Sequence, residues 1–424
     1  MKAANELPIQ PRSEKLIAPF QWLMRCWAIS SLVLFGLTWR LWVGQPAFPQ
    51  IPFFETFVEI PALVDRCIFP ILLICPPGVL VAKAVKTQRR FALGFAVCCV
   101  MLVLLDQNRL QPWVYHYLIV ASLFLCLSKK AASEALRWVV ISIYVYSALG
   151  KFDYQFVQSV GAQMLTAISD SCGIVIENHG TRRWLVLGFP LGELLVGGLL
   201  TFRKSRRLGV IAAVALHLGL VLILGPLGLN HQWPVLIWNL FFVVQAVILF
   251  WTVNDKAEAD VLLDEDEFEP QLRDQSAGKP VPVNSVPGPF PGLGWAITAF
   301  VILFPLTQPI GICDHWPAWD VYAPRTSRAE LKSGIGTERS ISQLSLDSYG
   351  VPIYPQARVQ FAIARAIARK EKFPCEIRVY SKSDRWTGER AVKQLTGDQI
   401  EMHADHYRLN IRPRWISGRS PNAR

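Results

Sequence analysis

The chain has 424 residues, 52% of them hydrophobic and only 18% charged, with a formal net charge of +11. A soluble domain sits nearer a quarter charged, and the mean hydropathy here is positive, which excludes an ordinary soluble globular protein and points to an integral membrane one. Much of the charge surplus lies in short loops between apolar runs, where it sets orientation and gives no evidence for nucleic acid.

The N-terminus to Pro19 is polar and mildly basic, and the first apolar run is Trp22 to Val43. It is too long and too flanked by charge for a signal-peptide core, so it is expected to be retained as a span. A Pro- and Phe-rich stretch leads to the second run, Cys67 to Ala82, where Pro70, Pro76 and Pro77 predict a kink or break. Phe91 to Leu105 and Trp113 to Ser128 follow, then an apolar run from Trp138 that ends in Ser147-Ala-Leu-Gly-Lys-Phe-Asp153. A long polar connection, Phe152 to Arg183, precedes Trp184 to Phe202, Leu208 to about Leu229, and Pro234 to Val253. Residues 254–291 read as an acidic and then Pro/Gly-rich linker, and Gly292 to Ile312 is a ninth apolar run. The fold class is therefore an all-α polytopic bundle of about eight or nine transmembrane helices (residues 1–253 and 292–312) with a small C-terminal α+β domain (313–424).

Orientation follows from the loops. Residues 83–90, 129–137 and 203–207 carry eleven Lys or Arg, and the alternate loops around 45–65, 106–112 and 226–233 carry Arg109 alone. This places the N-terminus in the cytoplasm and the C-terminal domain outside, with the chain integral to the cell inner membrane. In the C-terminal domain Pro355 to Lys370 has helical apolar periodicity, and Arg358, Arg365, Arg369 and Lys372 stripe it as a solvated face or one resting on anionic lipid. Ser340 to Leu346, Cys375 to Tyr380 and Tyr407 to Ile411 read as strands. Cys172, Cys313 and Cys375 would all be extracytoplasmic, where one pair could form a disulfide. No CxxC pair occurs, which argues against dithiol redox chemistry and zinc.

Polar residues converge on the outer half of this bundle. Tyr144, Ser147 and Lys151 share one helix face, and a lysine ending such a stripe either snorkels or helps line a polar pocket. Asp106 and Asn108 sit at one outer junction, with His116 and Tyr117 a turn into the next run. Asn230 and His231 sit at another junction, with Trp238 and Asn239 just inside. Glu193 and His217 lie deeper, and a membrane-embedded Glu normally faces the bundle and finds a partner. Together they predict a titratable pocket, with Lys151 interior beside Asp106 or Glu193.

On these residues the chain resembles the HTTM (horizontally transferred transmembrane) group and its vitamin K-dependent gamma-carboxylases. The likeness rests on Ser147-Ala-Leu-Gly-Lys-Phe-Asp153, Leu105-Asp106 with His116-Tyr117, Glu193-Leu-Leu, and the His217 run ending in Gly225-Pro-Leu-Gly228, and it covers about residues 20–250. The resemblance implies a helical bundle in which Lys151 is the base that deprotonates a quinone-like cofactor and His116 assists. The candidate catalytic residues are then Lys151, His116, Asp106, Glu193 and His217, and the candidate cofactor contacts are Tyr144, Asn230, His231 and Trp238. The chain lacks the carboxylases' large extracytoplasmic region, so a protein substrate does not follow. Expected partners are membrane lipid and a lipid-soluble small molecule. Two other readings stand beside this one: a membrane redox accessory of the DoxX or MauE kind, and a non-catalytic anchor presenting the C-terminal domain.

Overall fold

The computed structural model describes residues 14–46, 48–251, 288–333, 338–370 and 374–415. The linker expected over 254–291 lies almost wholly outside them. In chain order the first helices are α1 (Glu14–Leu37), α2 (Trp39–Val43), α3 (Leu63–Val81), α4 (Val85–Leu105) and α5 (Pro112–Cys126). They are followed by α6 (Lys129–Lys151), α7 (Tyr154–Gln158), α8 (Val160–Cys172), α9 (His179–Thr201), α10 (Arg206–Leu224) and α11 (Trp233–Ala246), and after the linker by α12 (Pro291–Leu303).

All nine apolar runs are helical, and the described residues hold six helices long and apolar enough to cross a membrane. A seventh crossing arises if α6 and the α7–α8 segment, bent by 75° at their junction, count as one broken span. The shorter α5 and α12 are apolar too. α5 is buried almost all round, as expected of a helix apolar on every face. α12 begins beside α5, where Phe290 N donates to Cys126 O at 3.2 Å, and passes Tyr146, whose hydroxyl donates to Ile302 O. Between membrane helices close packing does much of what burial from water does elsewhere. Gly209 shows it: a Cβ there would lie 2.9 Å from the backbone N of Leu200, so only glycine lets α10 lie this close to α9.

Three readings of the sequence need correction here. The prolines of the second run do not break it, because α3 continues through Pro70, Pro76 and Pro77 as one helix; neighbouring helices tolerate such residues in a membrane. The polar connection from Phe152 to Arg183 is largely helical. Asp153 caps α7 by accepting from Phe156 N at 2.9 Å, and α8 buries Met164 and Leu165. Among the described residues no disulfide joins Cys172, Cys313 and Cys375, which are exposed, buried and half-buried respectively.

The C-terminal part forms a cap. Strands β1 (Arg328–Ser333), β2 (Glu338–Arg339), β3 (Cys375–Tyr380) and β4 (Val392–Thr396) make an antiparallel sheet in the order β2-β1-β3-β4. Helices α13 (Ile341–Tyr349), α14 (Ala357–Ala368) and α15 (Asp398–Ala404) accompany it, and α14 packs on β1 and β3. The strand expected at Ser340–Leu346 is thus the start of helix α13, capped by Ser340 Oγ accepting from Gln343 N. Residues 407–411 form no strand; they cross the end of the bundle, where Asn410 Nδ2 donates to Pro52 O. The arginines of α14 are engaged rather than bare. Arg358 pairs with Asp314 and donates to Gln107, and Arg365 and Arg369 share Glu401.

The cap sits on the end of the bundle away from the basic loops. Gln50 and Arg414 exchange backbone hydrogen bonds, Tyr354 N donates to Asn108 Oδ1 at 2.7 Å, and Gln111 Nε2 donates to Pro352 O at 3.0 Å. One hydrophobic core runs from the bundle into the sheet, from Trp27 and Phe95 to Leu331 and Ile377.

Candidate functional site

Lys151 is the last residue of α6, and its side chain turns into the bundle rather than out to the surface. It is 4% exposed, and its ammonium contacts Glu193 Oε1 at 2.9 Å, Glu193 Oε2 at 2.8 Å and Ser147 Oγ at 2.5 Å. Ser147 contributes as expected from the shared face, one turn earlier. Glu193 comes from the middle of α9 and is itself buried. Taking such a pair out of water is costly unless geometry and further hydrogen bonds compensate. The two-oxygen contact and the serine supply that compensation.

The residue before Lys151 has a role of its own. A Cβ on Gly150 would lie 1.8 Å from Asp320 Oδ1, so the absence of a side chain lets the cap loop press onto the last turn of α6. The other oxygen of Asp320 meets His315 Nδ1 at 2.5 Å.

A second polar chain starts two turns below Lys151. The Tyr144 hydroxyl lies 2.7 Å from His217 Nε2, His217 Nδ1 lies 2.8 Å from Asn239 Oδ1, and Asn239 Nδ2 donates to Val235 O at 2.8 Å. The last bond fixes the amide, so Asn239 Oδ1 accepts and His217 Nδ1 carries the proton. Nε2 is then the acceptor for the tyrosine O–H. His116 receives Trp238 Nε1–H at its Nδ1, 3.1 Å away, while its Nε2 is buried and finds no partner among the described residues. Phe242 stacks on both imidazoles, with centroids 5.0 Å from His116 and 4.8 Å from His217.

The structure therefore gathers Lys151, Glu193, Tyr144, His217, His116 and Trp238 inside the bundle. Asp106 does not join them. Its Oδ1 accepts from Asn108 N and Ile51 N in the loop after α4, and burial pushes its carboxyl up to about 6 against the pull of Arg109. Of the two partners proposed for Lys151, only Glu193 is at hand. Asn230 and His231 form the turn between α10 and α11 and, with Trp238, line a cavity beneath the cap. Tyr144 does not reach that cavity.

One ionic group escaped the sequence reading. Arg109, counted there as a lone loop charge, is fully buried and pairs with Asp65. It also donates to the carbonyls of Leu41, Leu102 and Trp42 at 2.9–3.1 Å. Arg414 reaches the same carboxylate from the cap, and it donates to Gln50 Oε1 and to the carbonyls of Ile60 and Pro61. The one signal was that Arg109 is the exception in a set of alternate loops otherwise free of Lys and Arg. Among the described residues no group of three or more His, Cys, Asp or Glu could hold a metal ion.

Residues 129–231 match the family described as Methylamine utilisation protein MauE. No curated protein and no solved structure matches. The matched segment runs from α6 through α10 and includes Tyr144, Lys151, Glu193, His217, Asn230 and His231, while Asp106, His116 and Trp238 lie outside it. This corrects the resemblance drawn from the lysine motif: the motif falls within a MauE-like segment, and nothing links the chain to the HTTM group or the carboxylases.

Proposed function

We propose that this membrane protein is an accessory to a redox system, with residues 129–231 as its MauE-like part. The observation that carries the proposal is the coincidence of that family match with the polar core of the bundle. The ammonium of Lys151 is taken up by Glu193 and Ser147, which suits a pin between α6 and α9 better than a group poised to remove a substrate proton. Three basic loops at one end and the cap at the other support a cytoplasmic N-terminus and an extracytoplasmic cap. In that arrangement the cap would face exported partners.

Deleting the gene in its native host tests this. The expected result is that an exported redox enzyme is still made as polypeptide but loses activity, and that the parent chain supplied in trans restores it. Unchanged activity of the exported redox enzymes in the deletion strain would remove the proposal.

A further inference from the structure

The seam between bundle and cap holds a half-open cavity of about 410 Å³. Its lining includes four large aromatic side chains: Trp113 and Trp238 rise from the bundle, and Trp316 and Tyr322 descend from the cap. An apolar cavity of about 150 Å³ suffices for one benzene, so this one has room for two fused rings and lies within the ordinary range for small-molecule sites. Among the described residues three non-glycine positions have left-handed backbone, Asn230 (φ 50°), Trp319 (φ 60°) and Tyr322 (φ 60°). Asn230 and Tyr322 line the cavity, and Trp319 immediately precedes the lining residue Asp320. Such conformations cluster at ligand clamps, where the surrounding structure holds them.

The polar groups at the cavity narrow the ligand further. The Tyr322 hydroxyl is buried with no hydrogen-bond partner among the described residues. The His231 ring lies edge-on to Tyr322, 5.8 Å between centroids, and burial lowers its pKa, which favours the neutral imidazole. Among the described residues Asp320 is the only lining residue with a formal charge; its Oδ2 meets His315, and its Oδ1 is buried over Gly150 without a hydrogen-bond partner. Among the described lining residues no cation is present for an anionic ligand, and the Asp320 carboxylate adds to that exclusion. Aromatic rings with an unpartnered hydroxyl beside them suit a flat ring that bears a polar substituent and no negative charge.

We infer that this cavity is a binding site for a fused-ring aromatic small molecule without negative charge, stacked among Trp113, Trp238 and Trp316 and hydrogen-bonded through Tyr322. Trp238 also donates to His116, so a ligand stacked on this indole touches the hydrogen-bonded interior of the bundle. The site is independent of the proposed redox role and stands or falls apart from it.

The test uses the full chain in lipid nanodiscs with 2-naphthol as probe, followed by equilibrium dialysis and quenching of tryptophan fluorescence. The expected result is saturable binding that naphthalene-2-sulfonate does not displace. Val160→Trp, which fills the cavity from the half-buried start of α8, is expected to abolish the saturable component. Tyr322→Phe, which removes only the hydroxyl, is expected to weaken binding several-fold. Uptake that rises linearly and equally in all three proteins is partition into lipid and overturns the inference, as does displacement by naphthalene-2-sulfonate. Should Val160→Trp fail to fold, Tyr322→Phe decides alone: weaker binding supports the site and unchanged binding refutes it.

Discussion

Replacing Lys151 by Met keeps the length of the side chain and removes its charge. In the parent the ammonium holds both oxygens of Glu193, and the lysine and glutamate side chains are only 6% and 12% exposed. The variant leaves that carboxylate buried without its partner, and breaking a buried pair from one side costs about 3–5 kcal/mol. At about 2–4 °C per kcal/mol for a unit of 150–250 residues, the melting temperature in detergent should fall by roughly 6–20 °C. The double variant Lys151→Met, Glu193→Leu removes both charges together. It should recover most of the loss, because an apolar replacement of a whole buried pair is often neutral or better. The assay is a thermal unfolding series of the parent, the two single variants and the double variant. If Lys151→Met melts with the parent, the lysine is not paired inside the bundle and the pin between α6 and α9 is wrong. If both single variants fall but the double falls by their sum, the pair is not coupled, which also refutes it.

Other expectations follow from the cap and the loops. Arg414→Met leaves Asp65 to Arg109 alone and should cost about 3 kcal/mol or more, read as faster proteolysis within the cap while α3 and α4 stay protected. Burial raises the Asp106 carboxyl from 3.8 to about 6. The folded form therefore binds more protons than the unfolded between those values, and the stability this group contributes is full below about 4 and lost as pH rises through about 6. Asp106→Asn, whose amide oxygen can still accept from Asn108 N and Ile51 N, should flatten that part of the stability profile; an unchanged slope would refute the assignment. A reporter active only outside the cytoplasm, fused after Arg424, should be active, and activity of a cytoplasm-only reporter there would contradict the proposed orientation.

What the sequence revealed and what it hid divide along a physical line. The helices were legible because a membrane span needs a long apolar run, and the face joining Tyr144, Ser147 and Lys151 follows from helical geometry alone. Glu193 was legible as a partner because a carboxylate in such a run must find one. Asp106 was misjudged as an alternative because its direction depends on a loop, where no periodicity fixes the side chain. Ser340–Leu346 was read by alternation, although Ile341, Leu344 and Ser345 fit helical spacing equally well and Ser340 supplies a cap. The pairing of Asp65 with Arg414 lay beyond reach, since no local pattern ties residues 349 positions apart. The resemblance failed for a related reason: a short lysine motif in a span says that a lysine is there, not which family built the span.

The clasp of Arg414 on Asp65 also orders events in time. The two residues are 349 positions apart, so at about 5–20 residues per second the carboxylate waits roughly 17–70 s for its second guanidinium. Arg109 arrives only 44 positions after Asp65 and serves as its first counter-ion while the rest of the chain is made. Through most of that interval Gln107, Asn108 and Gln111 lack the cap atoms they meet in the finished protein. The growing chain, not the folded one, is then the form that shows this polar face, and anything that guards it must act during synthesis.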